Sequence, residues 1–182
     1  MPLSQLDPNA ALVVIDMQKG IVGLPTAHPA AGVIANVAAL ARAFRARSLP
    51  VVLVNVDDRA PGRVEAAFNF TPPPDWAELI PELDRQPSDY TVTKRNVGAF
   101  YGTALEHILR RRGVTQVFLC GIATSAGVES TARQAYDRGY NVVLVTDAMT
   151  DLDPENHNHA VEKVFPRIGE RTLTAEAVAR LG

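Results

Sequence analysis

Sulfur chemistry is almost missing from this chain: one cysteine, Cys120, in 182 residues. A lone thiol excludes an internal disulfide and any multi-cysteine metal site. Histidine is nearly as scarce, with 4 residues in all and none between His28 and His107. There is no basic excess either, since Lys+Arg 18 against Asp+Glu 20 leaves a net charge of -2. That balance argues against a nucleic-acid or membrane-surface binder, whose affinity rests on neutralising phosphates. The one basic run, Arg110 to Arg112, ends a predicted helix, where cations suit the dipole. No apolar stretch approaches the ~20 residues that span a bilayer. Met1 to Asn9 shows no basic segment followed by an apolar block, so no secretory leader is expected. The phosphate-cradling patterns GxGxxG and GxxxxGK[ST] are absent. These absences point to a cytoplasmic protein without nucleic-acid or membrane partners.

What the chain does have is apolar mass. Hydrophobic residues make up 47% and charged ones 21%, enough for a full core and against disorder. The length suits one α/β domain over residues 1–182. Four runs, Ala11–Ile15, Val51–Val56, Gln116–Cys120 and Asn141–Val145, are rich in Val, Ile and Leu and hardly alternate with polar residues. Such runs suit strands buried on both faces of a parallel sheet. Weaker strands are expected at Tyr90–Thr93 and Arg171–Leu173. Helical faces fall between them: Val33, Val37, Leu40, Ala41 and Phe44; Leu105, Ile108 and Leu109, stopped by Gly113; Val128, Thr131, Ala132, Ala135 and Tyr136, stopped by Gly139. Pro154–Phe165 and Ala175–Leu181 complete the set. Alternating strand and helix predicts a doubly wound, three-layer α/β/α fold.

Residues 57–88 break this rhythm with six prolines and with Phe68, Phe70 and Trp76. A stretch of this kind is either a functional lid whose aromatics reach the site or a surface excursion packed down on the fold.

Ligands of open parallel sheets bind beyond the carboxyl ends of the strands. The first run ends there in Asp16. A carboxylate at the mouth of a buried strand needs a partner or a task; a helix cap or a structural ion pair is the plain alternative. The third run ends in Gly121-Ile122-Ala123-Thr124-Ser125-Ala126-Gly127. Small residues there let backbone N–H groups at a helix start face a ligand, or form an ordinary strand-to-helix turn. Lys94 follows the weak strand and could form a charge pair with Asp16 that tunes a proton donor.

Taken together, "ALVVIDMQ" (11–18), "TKRNVGAFYGTALEHILRRRGV" (93–114), "LCGIATSAGVESTARQAYDRGYNVVLVTDAM" (119–149) and "HNHAVEKVFPRI" (157–168) resemble the isochorismatase-like, or cysteine hydrolase, superfamily. The resemblance implies a six-stranded parallel sheet and a homodimer or homotetramer acting on a small molecule. Amidases of that family use an Asp–Lys–Cys triad. Its Asp matches Asp16 and its Lys matches Lys94, but its Cys matches Gly127, which offers no nucleophile. Isochorismatases proper also carry glycine there and cleave an enol ether by acid catalysis without a covalent intermediate. The substrate-contacting positions implied are Gln18, Asn55, Phe100, Ile122, Ala123, Thr124 and Ser125, with Ser125 read as a helix cap. A cis peptide is expected at Ile122–Ala123. No metal and no cofactor are expected: nicotinamidase-like members carry an Asp and two His after the second strand, where this chain reads Asn55-Val56-Asp57-Asp58-Arg59. His157 and His159, two apart on a helix, diverge.

Three functions therefore compete: a hydrolase run by Asp16 and Lys94, a binding or regulatory protein that has lost turnover, and thiol catalysis by Cys120. The last is disfavoured because Cys120 ends a buried strand, where cysteine behaves as a small hydrophobe.

Overall fold

A computed structural model describes residues 3–65 and 71–182. Six strands, β1 (Ala10–Ile15), β2 (Val51–Val56), β3 (Tyr90–Lys94), β4 (Gln116–Ile122), β5 (Asn141–Thr150) and β6 (Glu170–Thr172), form one sheet in the order β3-β2-β1-β4-β5-β6. Every pairing is parallel. The helices are α1 (Lys19–Val22), α2 (Ala30–Ala46), α3 (Leu105–Arg111), α4 (Glu129–Asp137), α5 (Pro154–His159) and α6 (Thr174–Leu181). The order reverses between β1 and β4, which puts the switch point beside Asp16.

Both faces of β1 are covered, which is why its sequence is apolar throughout. Ala11, Val13 and Ile15 join Leu105 and Leu109 of α3 and Ala132 and Ala135 of α4 in one core layer. Ala10, Leu12 and Val14 point the other way, into Val33, Val37, Leu40 and Phe44 of α2 and Leu181 of α6. Each fully buried Leu, Val or Phe contributes about 1.5–3 kcal/mol of apolar burial. Phe44 meets Phe118 edge-on, ring centroids 5.2 Å apart, so the central strand is pinned to α2.

Several boundaries differ from the sequence expectation. β4 runs to Ile122 and β5 to Thr150, with a register shift between Leu119 and Gly121. Gly121 takes φ 116°, and a Cβ there would overlap the Ile15 carbonyl. Only glycine lets β4 pass that close to β1. The expected helix from Pro154 to Phe165 begins as foreseen, Asp153 accepting the Glu155 N–H at 2.7 Å, but widens into a π turn at Ala160–Val164. The short α1 has no amphipathic period to betray it. Arg110 is not simply solvated: its guanidinium lies 4.6 Å over the Tyr140 ring and donates to the Arg138 carbonyl.

Phe68 and Phe70 lie outside the described residues. Trp76 sits over Gly20, whose missing side chain makes the room. Around it the chain from 73 to 80 is sewn to the end of β1: Lys19 N–H donates to Glu78 O, Gly20 N–H to Trp76 O and Ile80 N–H to Met17 O. This part of the irregular stretch is packed down on the fold.

Candidate functional site

The chain turns sharply after β1. Asp16 takes φ 51°, a left-handed conformation that Asp tolerates better than most residues. Its own N–H still donates to Val54 O, at 2.9 Å, so the twist begins only once the sheet has been satisfied. The carboxylate then reaches Lys94 at the end of β3, Oδ2 to Nζ 2.8 Å. The two side chains are 8% and 3% exposed, so water does little to screen the pair.

Lys94 is saturated. An ammonium has three protons to donate. One goes to Asp16 Oδ2 at 2.8 Å, one to Val97 O at 2.9 Å and one to Asn96 O at 3.2 Å. Asp16 is not saturated. Its Oδ1 is buried without a hydrogen-bond partner; among the described residues only the Tyr140 hydroxyl shares that condition. Burial raises the Asp16 pKa and the Lys94 charge pulls it back, leaving it at about 6. Desolvation therefore outweighs the ion pair.

The third element is the turn after β4. The Ile122–Ala123 peptide is cis. A π turn over Thr124–Val128 follows, with Val128 N–H returning to Ala123 O. Gly127 lies against the pair: a Cβ there would stand 2.8 Å from Ile15 Cγ2, 3.2 Å from Asp16 Oδ2 and 3.6 Å from Lys94 Nζ. Asp16, Lys94 and Gly127, which sequence spacing cannot bring together, thus meet at one point.

The other expected positions have their side chains engaged elsewhere. The Gln18 amide is fully buried; Nε2 donates to Val56 O and Trp76 O, and Oε1 accepts from Val56 N–H. Asn55 donates to Ala77 O and accepts from Thr93. Both therefore hold the 73–80 segment onto the sheet. Phe100 turns into the core, its ring 6.0 Å from that of Tyr140 and 4.9 Å from the Arg138 guanidinium. Ile122 belongs to the core layer under α2, and Ala123 packs against it. The cap position of the turn falls to Ala123 and not to Ser125. The Ser125 N–H donates to Asp151 Oδ2 at 2.7 Å, so the turn is capped by a carboxylate from the end of β5.

Thr124, expected to touch substrate, is engaged within the protein, and His157 and Asp151 reach the turn although no sequence pattern placed them there. Thr124 is fully buried and its hydroxyl pairs with His157 Nδ1 at 2.9 Å. The His157 ring stands edge-on to His28, centroids 4.6 Å apart, and His28 Nδ1 in turn pairs with the Thr150 hydroxyl at 3.0 Å. Burial lowers the His157 pKa and the neighbouring His28 lowers it further, while Asp151 opposes them. These histidines brace the turn from behind. Cys120 is buried and its thiol is pushed far up by burial, which disfavours the thiolate that catalysis by Cys120 requires.

Among the described residues, no three His, Cys, Asp or Glu side chains are arranged to hold a metal ion. No described helix is long and apolar enough to cross a membrane.

An all-parallel doubly wound sheet, with a carboxylate and an ammonium paired at its switch point, defines an α/β protein with a polar site at the strand ends. Residues 10–176 match the isochorismatase domain, and the chain belongs to the isochorismatase family. It is 44% identical over 176 residues to the uncharacterised isochorismatase family protein YwoC of Bacillus subtilis, covering 92% of each chain. It is 31% identical to a ureidoacrylate amidohydrolase, RutB, of Variovorax paradoxus, over 83% of this chain and 72% of that one. The solved structure of an isochorismatase family protein from Burkholderia thailandensis superposes with a TM-score of 0.88 at 42% identity, covering 99% of this chain and 98% of the other.

Proposed function

We propose that this chain is a small-molecule hydrolase in which Asp16 supplies and recovers a proton, Lys94 is its charge partner, and Gly127 stands where amidases of the family carry a nucleophilic cysteine. One observation carries this reading: a buried Asp16 with Oδ2 held by Lys94 and Oδ1 left free, next to a residue with no side chain. Oδ1 is the oxygen of the pair without a protein partner, and this reading assigns it to the substrate. Lys94 has no proton left to give one.

The chemistry follows from charge. With a pKa of about 6, Asp16 is half protonated at that pH and keeps a usable acid fraction at neutrality. Protonation of the vinyl carbon of an enol ether leaves an oxocarbenium ion on the substrate and a carboxylate on Asp16. The Lys94 ammonium attracts that carboxylate more strongly than it attracts the neutral acid, so the pair favours the charge-separated state. Water adds to the cationic carbon and returns its second proton to Asp16. The hemiketal then splits into a ketone and an alcohol, with one water consumed and the acid restored. The amide route of the amidohydrolase relative is disfavoured because neither Gly127 nor the buried Cys120 offers a thiolate.

The alternative is a binding or regulatory protein without turnover, favoured by the same missing nucleophile. Purified protein assayed against a panel of enol ethers and small amides separates the two. The hydrolase reading expects enol-ether turnover that survives thiol alkylation. It also expects a drop of about a hundredfold or more in Asp16→Asn and in Lys94→Met. Turnover unchanged in Asp16→Asn, or binding without turnover across the panel, sinks it.

A further inference from the structure

We propose that Thr131 is the positioning residue of this site, its single hydroxyl locking the loop that holds Lys94 to the turn that carries Gly127. The proposal rests on Asp16 and Lys94 being the working pair.

Lys94 is held by two carbonyls of its own loop, Asn96 O and Val97 O. Its backbone is fixed in β3, but the direction of its ammonium toward Asp16 depends on that loop, which has no regular structure of its own. Two N–H groups just beyond Gly98 are caught by α4. Ala99 N–H donates to the Thr131 hydroxyl at 3.1 Å and Phe100 N–H to Gln134 Oε1 at 3.0 Å. Thr131 and Gln134 are three apart and share one helix face. The approach is so close that a Cβ on Gly98 would stand 2.5 Å from Gln134 Oε1. A larger residue there would push aside the far end of the Gln134 side chain.

Thr131 does more than Gln134. Its hydroxyl proton goes to Gly127 O at 2.6 Å. A hydroxyl has one proton, so with that spent it meets Ala99 only as an acceptor. The direction of both bonds is thus fixed, and the chain Gly127 O, Thr131 Oγ1, Ala99 N ties the two halves of the site together. Thr131 is fully buried, so water cannot substitute for it.

The experiment follows the Asp16 carboxyl by carbon-detected NMR titration in protein labelled at aspartate, with Asp16→Asn identifying the signal. Thr131→Val keeps the shape and deletes the hydroxyl; Thr131→Ser keeps the hydroxyl. Once the loop loosens, the attraction from Lys94 that opposes desolvation weakens. The Asp16 midpoint then moves further up, by about half a pH unit or more. Thr131→Ser stays at the wild-type midpoint, and the Ala99 amide exchanges about tenfold faster in Thr131→Val. Gln134→Ala, which releases only Phe100, gives a smaller upward shift and covers the case in which Thr131→Val does not fold. A folded Thr131→Val with the wild-type midpoint, a Thr131→Ser that shifts as far as Val, or no movement in Gln134→Ala when Val fails to fold overturns the proposal. The wild-type midpoint separately tests the acid–base reading, so the two can fail independently.

Discussion

Asp16 shows what a single residue costs the fold. Its carboxyl holds a proton up to about pH 6, against an ordinary value of 3.8. The folded chain therefore binds a proton more tightly than the unfolded one. That contribution is complete below the ordinary value and is lost as pH rises through about 6. A two-unit difference corresponds to about 3 kcal/mol at most. Asp16→Asn removes the dependence, so chemical denaturation should show the variant gaining on the wild type between pH 4 and pH 7, by up to that amount. A constant difference across the range would mean that the native carboxyl titrates as an ordinary one. Left-handed backbone, buried oxygen and raised pKa at one residue form the kind of local conflict that folds keep where they act chemically.

At the scale of elements, the sheet is simple and the connections carry the specificity. Four apolar runs became β1, β2, β4 and β5 because burial on both faces leaves no room for alternation, and the more polar β3 and β6 close the edges of the sheet. This much was legible from composition and period. The 73–80 segment was not, because it follows neither period and is held by side chains reaching main chain across long stretches of sequence. Gln18 is the main fastener, serving three backbone groups at once. Gln18→Ala takes this partner from the Val56 N–H and C=O, while Trp76 O keeps the Gly20 N–H, a loss of about 1–3 kcal/mol in denaturant unfolding. Amide exchange at Val56 should rise with it, and unchanged exchange there would show that the segment is held by something else. The family resemblance implies Gln18 as a substrate contact; in the fold its amide meets main-chain groups that no sequence pattern announces. His157 and Asp151 escaped for the same reason. Each supports the turn after β4 from more than 25 residues away in the chain, and neither has a short-range signature.

For the whole molecule, the one thiol is a reporter placed at the centre. Cys120 lies on β4, between β1 and β5, with no exposed surface. Thiol labelling under native conditions should be limited by opening of the sheet itself, and its free energy should match global unfolding by denaturant. Labelling far faster than that would point to a local opening of β4. The strand order also explains why the site was only half legible. Asp16, Lys94 and Gly127 could be singled out one at a time by residue type and by family resemblance, but their meeting depends on β4 crossing back to lie beside β1. The acid and the ammonium both come from the first hundred residues and the glycine turn from the last seventy. The seam between β1 and β4 is thus a natural dividing line. Cut in the bend at Gly113, the polypeptide would yield one piece bearing the charges and another bearing the floor they rest on, and chemistry at the site would become a gauge of their reunion.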